Sequence, residues 1–218
     1  MMNLQEKSMD NPNHPVAAID HEMTTLERDD RELIISHKAG DETAFPELVQ
    51  RYEARVYNHC VRMINDREES ADLTQEVFLK VFRNIGNYEH TYSFYTWLYR
   101  ITVNCCIDYI RKRKRQAQSI SLSFNTSDES DSGKEQDIPD VTFTPERFIR
   151  DKETSRILKK AIGQLSEKMR AIILLKEIEG FSYEEIADIL NCSRGTVKSR
   201  LFRARERLRE LLESGQLT

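Results

Sequence analysis

The 218-residue sequence contains little glycine, proline or cysteine: 7 glycines, 5 prolines and 4 cysteines. Sandwiches and barrels need many tight turns, so the scarcity of glycine and proline favours a helical protein. No apolar run approaches the roughly 20 residues that a membrane-spanning helix needs. The N-terminus also lacks the charged start and apolar core of a signal peptide. We therefore predict an all-α protein that is located in the cytoplasm.

The four cysteines show no CxxC spacing and have no histidine cluster near them, so neither a zinc site nor a disulfide framework is predicted. We expect them to be small apolar side chains of the core: Cys60, Cys105, Cys106 and Cys192. The sequence also lacks a Ser-His-Asp, Cys-His or phosphate-loop constellation. We therefore expect no catalysis, no cofactor, no metal and no small-molecule substrate.

Composition divides the chain into four segments. Residues 1–28 are polar and acidic without a sustained apolar period, which predicts a disordered leader. Apolar residues at helical spacing fill residues 29–116 and 150–213, so we predict two small helical domains. Residues 117–149 between them are rich in serine, aspartate and glutamate. This composition predicts a flexible acidic linker.

Several local signals predict helix ends in the first domain. Asp66 and Glu69 have the spacing of a capping box, and Gly86 predicts a C-terminal stop. Pro46 lacks a backbone N–H, so we expect its helix to begin close to it. A further helix is predicted from about Thr96 to Lys114.

Positive charge is unevenly distributed along the chain. Taken over the whole chain, the net charge of −4 argues against a nucleic-acid partner. However, residues 193–212 carry seven Arg or Lys against two Glu, and residues 111–115 are all basic. Two basic patches on an acidic background indicate two contacts with nucleic acid.

Residues 182–212 have the pattern of a helix-turn-helix. Ser182 and Glu185 form a predicted capping box that opens a short helix through Leu190. Asn191 suits a left-handed turn, and Ser193 can cap the next helix. That helix is predicted from Thr196 to Leu212, with an inward stripe of Val197, Leu201, Ala204, Leu208 and either Leu211 or Leu212.

The first turns of such a helix enter the major groove, where basic and hydroxyl side chains reach bases and phosphates. The predicted contacts on this helix are Arg194, Thr196, Lys198, Ser199, Arg200, Phe202 and Arg203. The alternative is a solvated, charged helix that faces water. It accounts for the arginines but not for the capped short helix and the tight turn.

Five aromatic residues lie within residues 92–99, and Arg100, Asn104 and the basic run 111–115 follow them. Aromatic faces stack on unpaired bases while cations hold the backbone, so this pattern suits a single strand of nucleic acid. Two alternatives remain open. Trp97 can pack in a helical core, and residues 111–115 can be a solvated helix end.

Three stretches, in this order, resemble the extracytoplasmic-function (ECF) group of sigma-70-type sigma factors. They are DLTQEVFLKVF at residues 72–82, YTWLYRITVN at 95–104, and YEEIADIL at 183–190 followed by GTVKSRLFRAR at 195–205. The resemblance covers residues 32–116 and 150–213. It implies that the two domains correspond to sigma regions 2 and 4, without a region 1.1 and without a region 3 domain between them.

The resemblance also implies partners. The helix at 72–82 would dock on the β′ clamp helices of core RNA polymerase through Asp72, Gln75, Glu76 and Phe78. The second domain would rest on the β flap while its helix-turn-helix reads the −35 element of promoter DNA as a duplex. Many family members are held inactive by a membrane-bound anti-sigma factor, so an anti-sigma partner is expected here.

The first domain would capture a flipped base of the −10 element as single-stranded DNA. Unstacking a base costs a few kcal/mol, which stacking and hydrogen bonds in a pocket can offset. The residues expected at this element are Tyr88, Ser93, Phe94, Trp97, Ile101, Asn104, Arg111 and Arg113.

Two other functions are weighed against a sigma factor. An ordinary helix-turn-helix repressor or activator would use residues 31–116 for dimerisation or sensing and would bind an inverted repeat as a dimer. A regulated adaptor would bind a protein partner, and its contact with DNA would be incidental. Only the sigma factor accounts for both basic patches and for the aromatic segment.

Overall fold

The computed structural model describes residues 28–89, 91–123 and 145–214. The predicted leader therefore lies almost wholly outside the described residues. Within these ranges the chain forms eight α-helices and no strand, which confirms the all-α prediction. The helices are α1 Asp30–Lys38, α2 Ala44–Ile64, α3 Arg67–Asn84, α4 Phe94–Ser123, α5 Pro145–Gln164, α6 Glu167–Ile173, α7 Tyr183–Ile189 and α8 Arg194–Glu213.

Helices α1 to α4 form the first bundle, and local signals set their ends. α1 begins with a full capping box, in which Asp29 accepts from the Glu32 backbone N–H and Glu32 accepts from that of Asp29. α2 begins at Ala44, two residues before Pro46, as predicted. Proline is tolerated in the first turn because the backbone N–H groups there have no partner within the helix.

α3 begins and ends near the predicted residues, with differences in detail. Asp66 accepts from the backbone N–H of Glu69 at 3.2 Å, but Glu69 does not return the bond, so only half of the predicted capping box forms. The helix ends at Asn84, and a 3₁₀ turn follows at Ile85–Asn87. Gly86 lies inside this turn and does not adopt a left-handed conformation.

The 30-residue helix α4 is about 45 Å long and spans the first bundle. It starts at Phe94, where the Ser93 hydroxyl accepts from the backbone N–H of Thr96 at 3.1 Å. It continues to Ser123, and α5 begins at Pro145, so helix extends into both ends of the predicted linker. Residues 117–123 contain neither proline nor glycine, so the sequence offers no signal that stops α4 earlier. The remaining linker residues lie outside the described part of the chain.

Helices α5 to α8 form the second bundle. α6 passes into a wide π turn at Leu174–Ile178, and Glu179 caps its C-terminal end. Gly180 then reverses the chain with φ +77°, a left-handed conformation that favours glycine. The apolar side chains of α6 and of the π turn fill the centre of this bundle: Ala171, Ile172, Ile173, Leu174 and Leu175.

The two bundles are packed against each other. α4 contacts α6 and α7, and α2 contacts α5 and α6. Buried side chains from both bundles form one continuous apolar cluster. The bundles therefore share a face that involves the longest helix of the first and the short helices of the second.

All four cysteines are free. Cys60, Cys105 and Cys106 are buried in the first bundle, as predicted, and the Cys60 and Cys106 sulfurs are 3.7 Å apart. Cys192 is half-buried in the second bundle. Among the described residues no helix is long and apolar enough to cross a membrane.

Candidate nucleic-acid interface

The helix-turn-helix starts with the predicted capping box. The Ser182 hydroxyl accepts from the backbone N–H of Glu185 at 3.2 Å, and the Glu185 carboxylate accepts from the backbone N–H of Ser182 at 2.8 Å. These two bonds satisfy N–H groups that have no partner within the helix. They fix the start of α7, the first helix of the motif.

The turn between α7 and α8 also follows the prediction. Asn191 has φ 47°, in the left-handed region, and the backbone N–H of Cys192 donates to the carbonyl of Ala187 at 3.0 Å. Ser193 caps α8, because its hydroxyl accepts from the backbone N–H of Thr196 at 3.1 Å. The helix begins at Arg194, two residues before the predicted start.

One face of α8 is packed against the second bundle. Val197, Leu201 and Ala204 are buried, and Leu208 is half-buried. Leu211 continues this stripe, whereas the side chain of Leu212 is 42% exposed. The register of the helix is therefore fixed, and the opposite face is presented to solvent.

The seven side chains predicted to contact DNA lie on the first three turns of α8, and none of them is buried. Phe202 is 65% exposed, which leaves an aromatic ring unpacked on this surface. Lys198, Ser199 and Arg203 are exposed, and Thr196 and Arg200 are half-buried. The seven predicted residues thus lie on one continuous surface of α8.

Ion pairs distribute the charge of α8 unevenly. Arg205, Arg207 and Arg209 in the C-terminal half pair with Glu177, Glu210 and Glu206. In the N-terminal half Arg194 pairs with Glu184 at 2.8 Å, but Lys198, Arg200 and Arg203 have no carboxylate within 4 Å among the described residues. Uncompensated positive charge is therefore concentrated on the N-terminal half, which enters the groove in proteins of this type.

The aromatic segment of the first bundle forms a connected cluster. The ring of Trp97 lies 5.2 Å from that of Tyr88 and 5.9 Å from that of Phe94. Tyr88 and Phe94 are buried, whereas Trp97 is half-buried. Trp97 thus packs against the core, as the alternative prediction held, and keeps part of its ring at the surface.

A cavity of about 910 Å³ lies between this cluster and the start of α1. Of the residues predicted at a base pocket, Tyr88, Ser93 and Phe94 line it. The sequence analysis missed the opposite wall, to which Asp30 and Tyr52 contribute. The aromatic spacing could not reveal these two residues because Tyr52 lies 42 residues and Asp30 lies 64 residues before Phe94 in the chain.

The other predicted residues of this site lie along α4, outside the lining of that cavity. Ile101 is half-buried and Asn104 is exposed, and both share a face of the helix with Trp97. Further along, Arg113 is 3.7 Å from the carboxylate of Asp66, and Arg111 is 3.5 Å from that of Glu167 in the second bundle. The predicted residues of this site therefore fall into two groups, one that lines the cavity and one that lies on the surface of α4.

The exposed face of α3 differs from the prediction at one position. Asp72, Gln75 and Glu76 are exposed as expected, but Phe78 is only 8% exposed and belongs to the core. Six residues separate Phe78 from Asp72, so it lies roughly 240° around the helix from that side chain. Phe78 is therefore wrong as a surface contact. The exposed apolar side chains on this face are Leu79 and Phe82, and helical spacing from Asp72 could have identified them.

Glu179, which the sequence analysis did not single out, joins the two bundles. Its carboxylate is 3.1 Å from His59 Nδ1, and it accepts from the hydroxyls of Tyr99 at 2.7 Å and Tyr95 at 3.2 Å. Burial raises the pKa of the Glu179 carboxyl, but these bonds and the nearby His59 outweigh it, so the pKa lies below its ordinary value. Between 80 and 120 positions separate the partners, which is why no local pattern predicts them.

Comparison with known proteins finds two family models on this chain. The model for sigma-70 region 2 matches residues 48–116, and that for sigma-70 region 4 matches residues 155–208. The RNA polymerase sigma-H factor of Pseudomonas aeruginosa is 35% identical over 193 residues, which cover 88% of this chain and 97% of that protein. The ECF RNA polymerase sigma-E factor of Escherichia coli K12 is 36% identical over 177 residues, or 81% of this chain and 91% of that protein.

Solved structures show the same fold. The sigma factor RpoE of Bartonella quintana, in complex with the anti-sigma factor NepR, is 27% identical with a TM-score of 0.58 and covers 79% of this chain and 98% of that one. CnrH, in complex with the cytosolic domain of CnrY, is 23% identical with a TM-score of 0.60, and the match covers 86% of this chain and 99% of that one. The sequence relatives and the two family models show that this chain belongs to the ECF group of the sigma-70 family and is an RNA polymerase sigma factor.

Proposed function

We propose that α8 reads the −35 promoter element as a duplex. The observation that carries this proposal is the uncompensated positive face on the N-terminal half of α8, which stands beside the exposed ring of Phe202. Lys198, Arg200 and Arg203 form no ion pair with another described residue, so no carboxylate of the described part of the chain has to be displaced before they reach DNA. Arg and Lys donate to guanine O6 and N7 and to phosphates, which suits this set of side chains.

The first domain is assigned to the −10 element. The cavity beside Tyr88, Ser93 and Phe94 offers aromatic edges and a hydroxyl to a base that has left the stack. Trp97, Ile101 and Asn104 extend from it along one face of α4, where adjacent bases can lie. Arg111 and Arg113 would hold the phosphates that follow.

The exposed face of α3 is assigned to core RNA polymerase. Asp72, Gln75 and Glu76 provide polar contacts to the β′ clamp helices, and the side chains of Leu79 and Phe82 provide the apolar area that Phe78 cannot. The second domain is assigned to the β flap. A mixed apolar and charged surface of this kind is typical of protein interfaces.

The proposed role requires no covalent chemistry by this chain, because the polymerase synthesises the RNA. Since promoter DNA and polymerase are the partners, the chain is assigned to the cytoplasm. An anti-sigma factor is proposed as a further partner, because the similar solved sigma factor from Bartonella quintana is bound to one. The limits of the two DNA-binding domains, 29–116 and 150–213, are part of the same proposal.

The function is tested by adding the purified chain to core RNA polymerase and mapping transcript starts on a library of genomic promoters. We expect specific starts that core polymerase alone does not give. Dimeric binding to an inverted repeat, without new starts, would instead support a repressor or activator.

The residue assignments are tested by a pair of variants in the same holoenzyme. Asn104→Ala should impair binding to a single-stranded −10 strand and leave affinity for the −35 duplex unchanged. Arg203→Ala should do the reverse, and neither should change affinity for core polymerase. Equal losses on both DNA probes for either variant would contradict the assignment of that residue.

A further inference from the structure

Two buried thiols lie side by side between helices of the first bundle. Cys60 of α2 and Cys106 of α4 are both 0% exposed, and the thiol of Cys106 donates to the sulfur of Cys60 at 3.7 Å. A disulfide bond is about 2.05 Å long, so the two sulfurs need to approach by only about 1.7 Å to form one. We refer to Cys60 and Cys106 as the thiol pair.

The third cysteine of this bundle has a different partner. Cys105 precedes Cys106 in α4, and successive residues of a helix are about 100° apart around its axis. The sulfur of Cys105 accepts from Lys80 Nζ of α3 at 3.3 Å. Cys105 is therefore held towards α3 and away from the thiol pair, although it is almost as deeply buried.

The surroundings give the two sulfurs of the thiol pair different reactivity. The hydrogen bond from Cys106 lowers the pKa of the Cys60 thiol below its ordinary value against the effect of burial, and the hydroxyl of Thr74 acts in the same direction. The same bond, together with burial, raises the pKa of Cys106. Because the thiolate is the nucleophilic form of cysteine, Cys60 is the sulfur that reacts first.

We propose that the thiol pair is a reversible oxidation site for hydrogen peroxide, and that its disulfide stabilises the first bundle under oxidising conditions. The Cys60 thiolate attacks one peroxide oxygen and breaks the O–O bond, which leaves a sulfenic acid, while the thiol proton and the released hydroxide form water. The sulfur of Cys106 then attacks that of Cys60, and its proton leaves with the hydroxyl group as a second water. The two sulfurs lose two electrons, which reduce the two peroxide oxygens.

Burial of the thiol pair is compatible with this chemistry. Hydrogen peroxide is little larger than water, and helices of a small bundle open locally without global unfolding. Thiols persist in a reducing compartment, where the disulfides that do form are commonly transient and sense oxidants. The thiol pair therefore stays reduced until peroxide is present, and thiol–disulfide exchange reverses the reaction afterwards.

The disulfide would close a loop that contains all of α3. Cys60 and Cys106 are 46 positions apart, and a cross-link over such a distance restricts the unfolded chain. We expect the disulfide to raise the melting temperature by at least about 5 °C. Since both sulfurs lie in the core, the exposed faces of α3 and α4 stay available in either redox state.

Peptide mapping of the full chain tests the oxidation site. A Cys192→Ser background removes the partly accessible thiol of the second bundle. This protein is treated with hydrogen peroxide, alkylated, digested without reduction and analysed by tandem mass spectrometry. We expect a peptide cross-linked between Cys60 and Cys106, which dithiothreitol cleaves. A Cys105–Cys106 link, a disulfide between two molecules, or singly oxidised cysteines alone would overturn the proposal.

Two matched variants in the same background test the stabilisation. Cys60→Ala and Cys105→Ala each remove one buried sulfur from the first bundle, so they lose similar packing. The melting temperature is measured by circular dichroism before and after peroxide treatment. We expect Cys105→Ala to keep the rise of at least about 5 °C and Cys60→Ala to lose it. A rise in both variants, or in neither, would contradict the role of the thiol pair.

A transcription assay separates this proposal from the promoter function. Oxidised and reduced protein, freed of peroxide, are each added to core polymerase, and specific starts are counted. Equal initiation is expected, because the disulfide leaves the exposed faces unchanged. Weaker initiation by the oxidised protein would overturn a purely stabilising role. If neither form directs specific starts, the proposed promoter function fails, whereas the mapped disulfide and its effect on melting still decide the oxidation site.

Discussion

Replacing Arg203 by alanine separates DNA recognition from folding. The guanidinium is exposed and its described hydrogen bond, 3.3 Å long, goes to the carbonyl of Ser199 in the same helix. Alanine is at least as good a helix former as arginine, so the change should alter the free energy of unfolding by no more than about 0.5 kcal/mol. For a chain of this size the melting temperature should move by only about 1–2 °C.

The effect on binding should be much larger. A bidentate contact to guanine is worth about 1–3 kcal/mol, which corresponds to a roughly 5- to 150-fold loss of affinity for a specific −35 duplex. A contact to phosphate alone would instead weaken binding to all duplexes equally and would lower the salt dependence by about one counterion. Arg209→Ala is the control, because Arg209 lies in the C-terminal half of α8 and pairs with Glu206.

Fluorescence anisotropy with the promoter −35 duplex and with a scrambled duplex, at several salt concentrations, measures both effects. The melting temperature of each variant is measured by circular dichroism under the same conditions. Equal losses for Arg203→Ala and Arg209→Ala on both duplexes would refute the assignment of the N-terminal half of α8 as the reading surface.

Three further predictions concern surfaces and helix ends. Phe82→Ala should weaken binding to core polymerase and should cost less stability than Phe78→Ala, because the Phe82 ring is 52% exposed and, among the described aromatic pairs, contacts only the rings of Phe45 and His37. Phe78→Ala should lower the free energy of unfolding by about 3–5 kcal/mol. Binding and denaturant titrations would contradict this if the two variants behaved alike. Ser182→Ala should lower the free energy of unfolding by about 1 kcal/mol and the melting temperature by roughly 2–4 °C. An unchanged melting curve would contradict the capping role of Ser182. Asn191→Val should lower the free energy of unfolding by about 1–2 kcal/mol, whereas Asn191→Gly is tolerated, because φ at this position is 47°. Equal melting temperatures of the two variants would refute this.

The helix-turn-helix could be predicted from the sequence because its determinants are local. Ser182 and Glu185 are three residues apart, and Asn191 and Ser193 lie within the turn that they shape. Capping and turn signals act over a few residues, so the local sequence alone determines the geometry of the backbone there. The start of α2 near Pro46 was predictable for the same reason.

Features that depend on tertiary packing were not predictable in this way. Asp30 and Tyr52 reach the cavity beside Phe94 only because α1 and α2 pack next to the start of α4. The environment of Glu179 likewise depends on how two bundles meet, and no spacing in the sequence encodes that. Phe78 was assigned to the polymerase contact for a different reason. The resemblance implied that this segment binds polymerase, but it did not show which side chains of the helix face outward, and Phe78 is buried.

The distribution of the four thiols has a practical consequence. Cys60, Cys105 and Cys106 are shielded inside the first bundle, whereas Cys192 is partly accessible in the turn between α7 and α8. A thiol-reactive fluorophore added to the native protein should therefore label one position, immediately before the helix assigned to the −35 element. The wild-type chain thus carries its own attachment point for a spectroscopic reporter of promoter engagement, and no engineered cysteine is required.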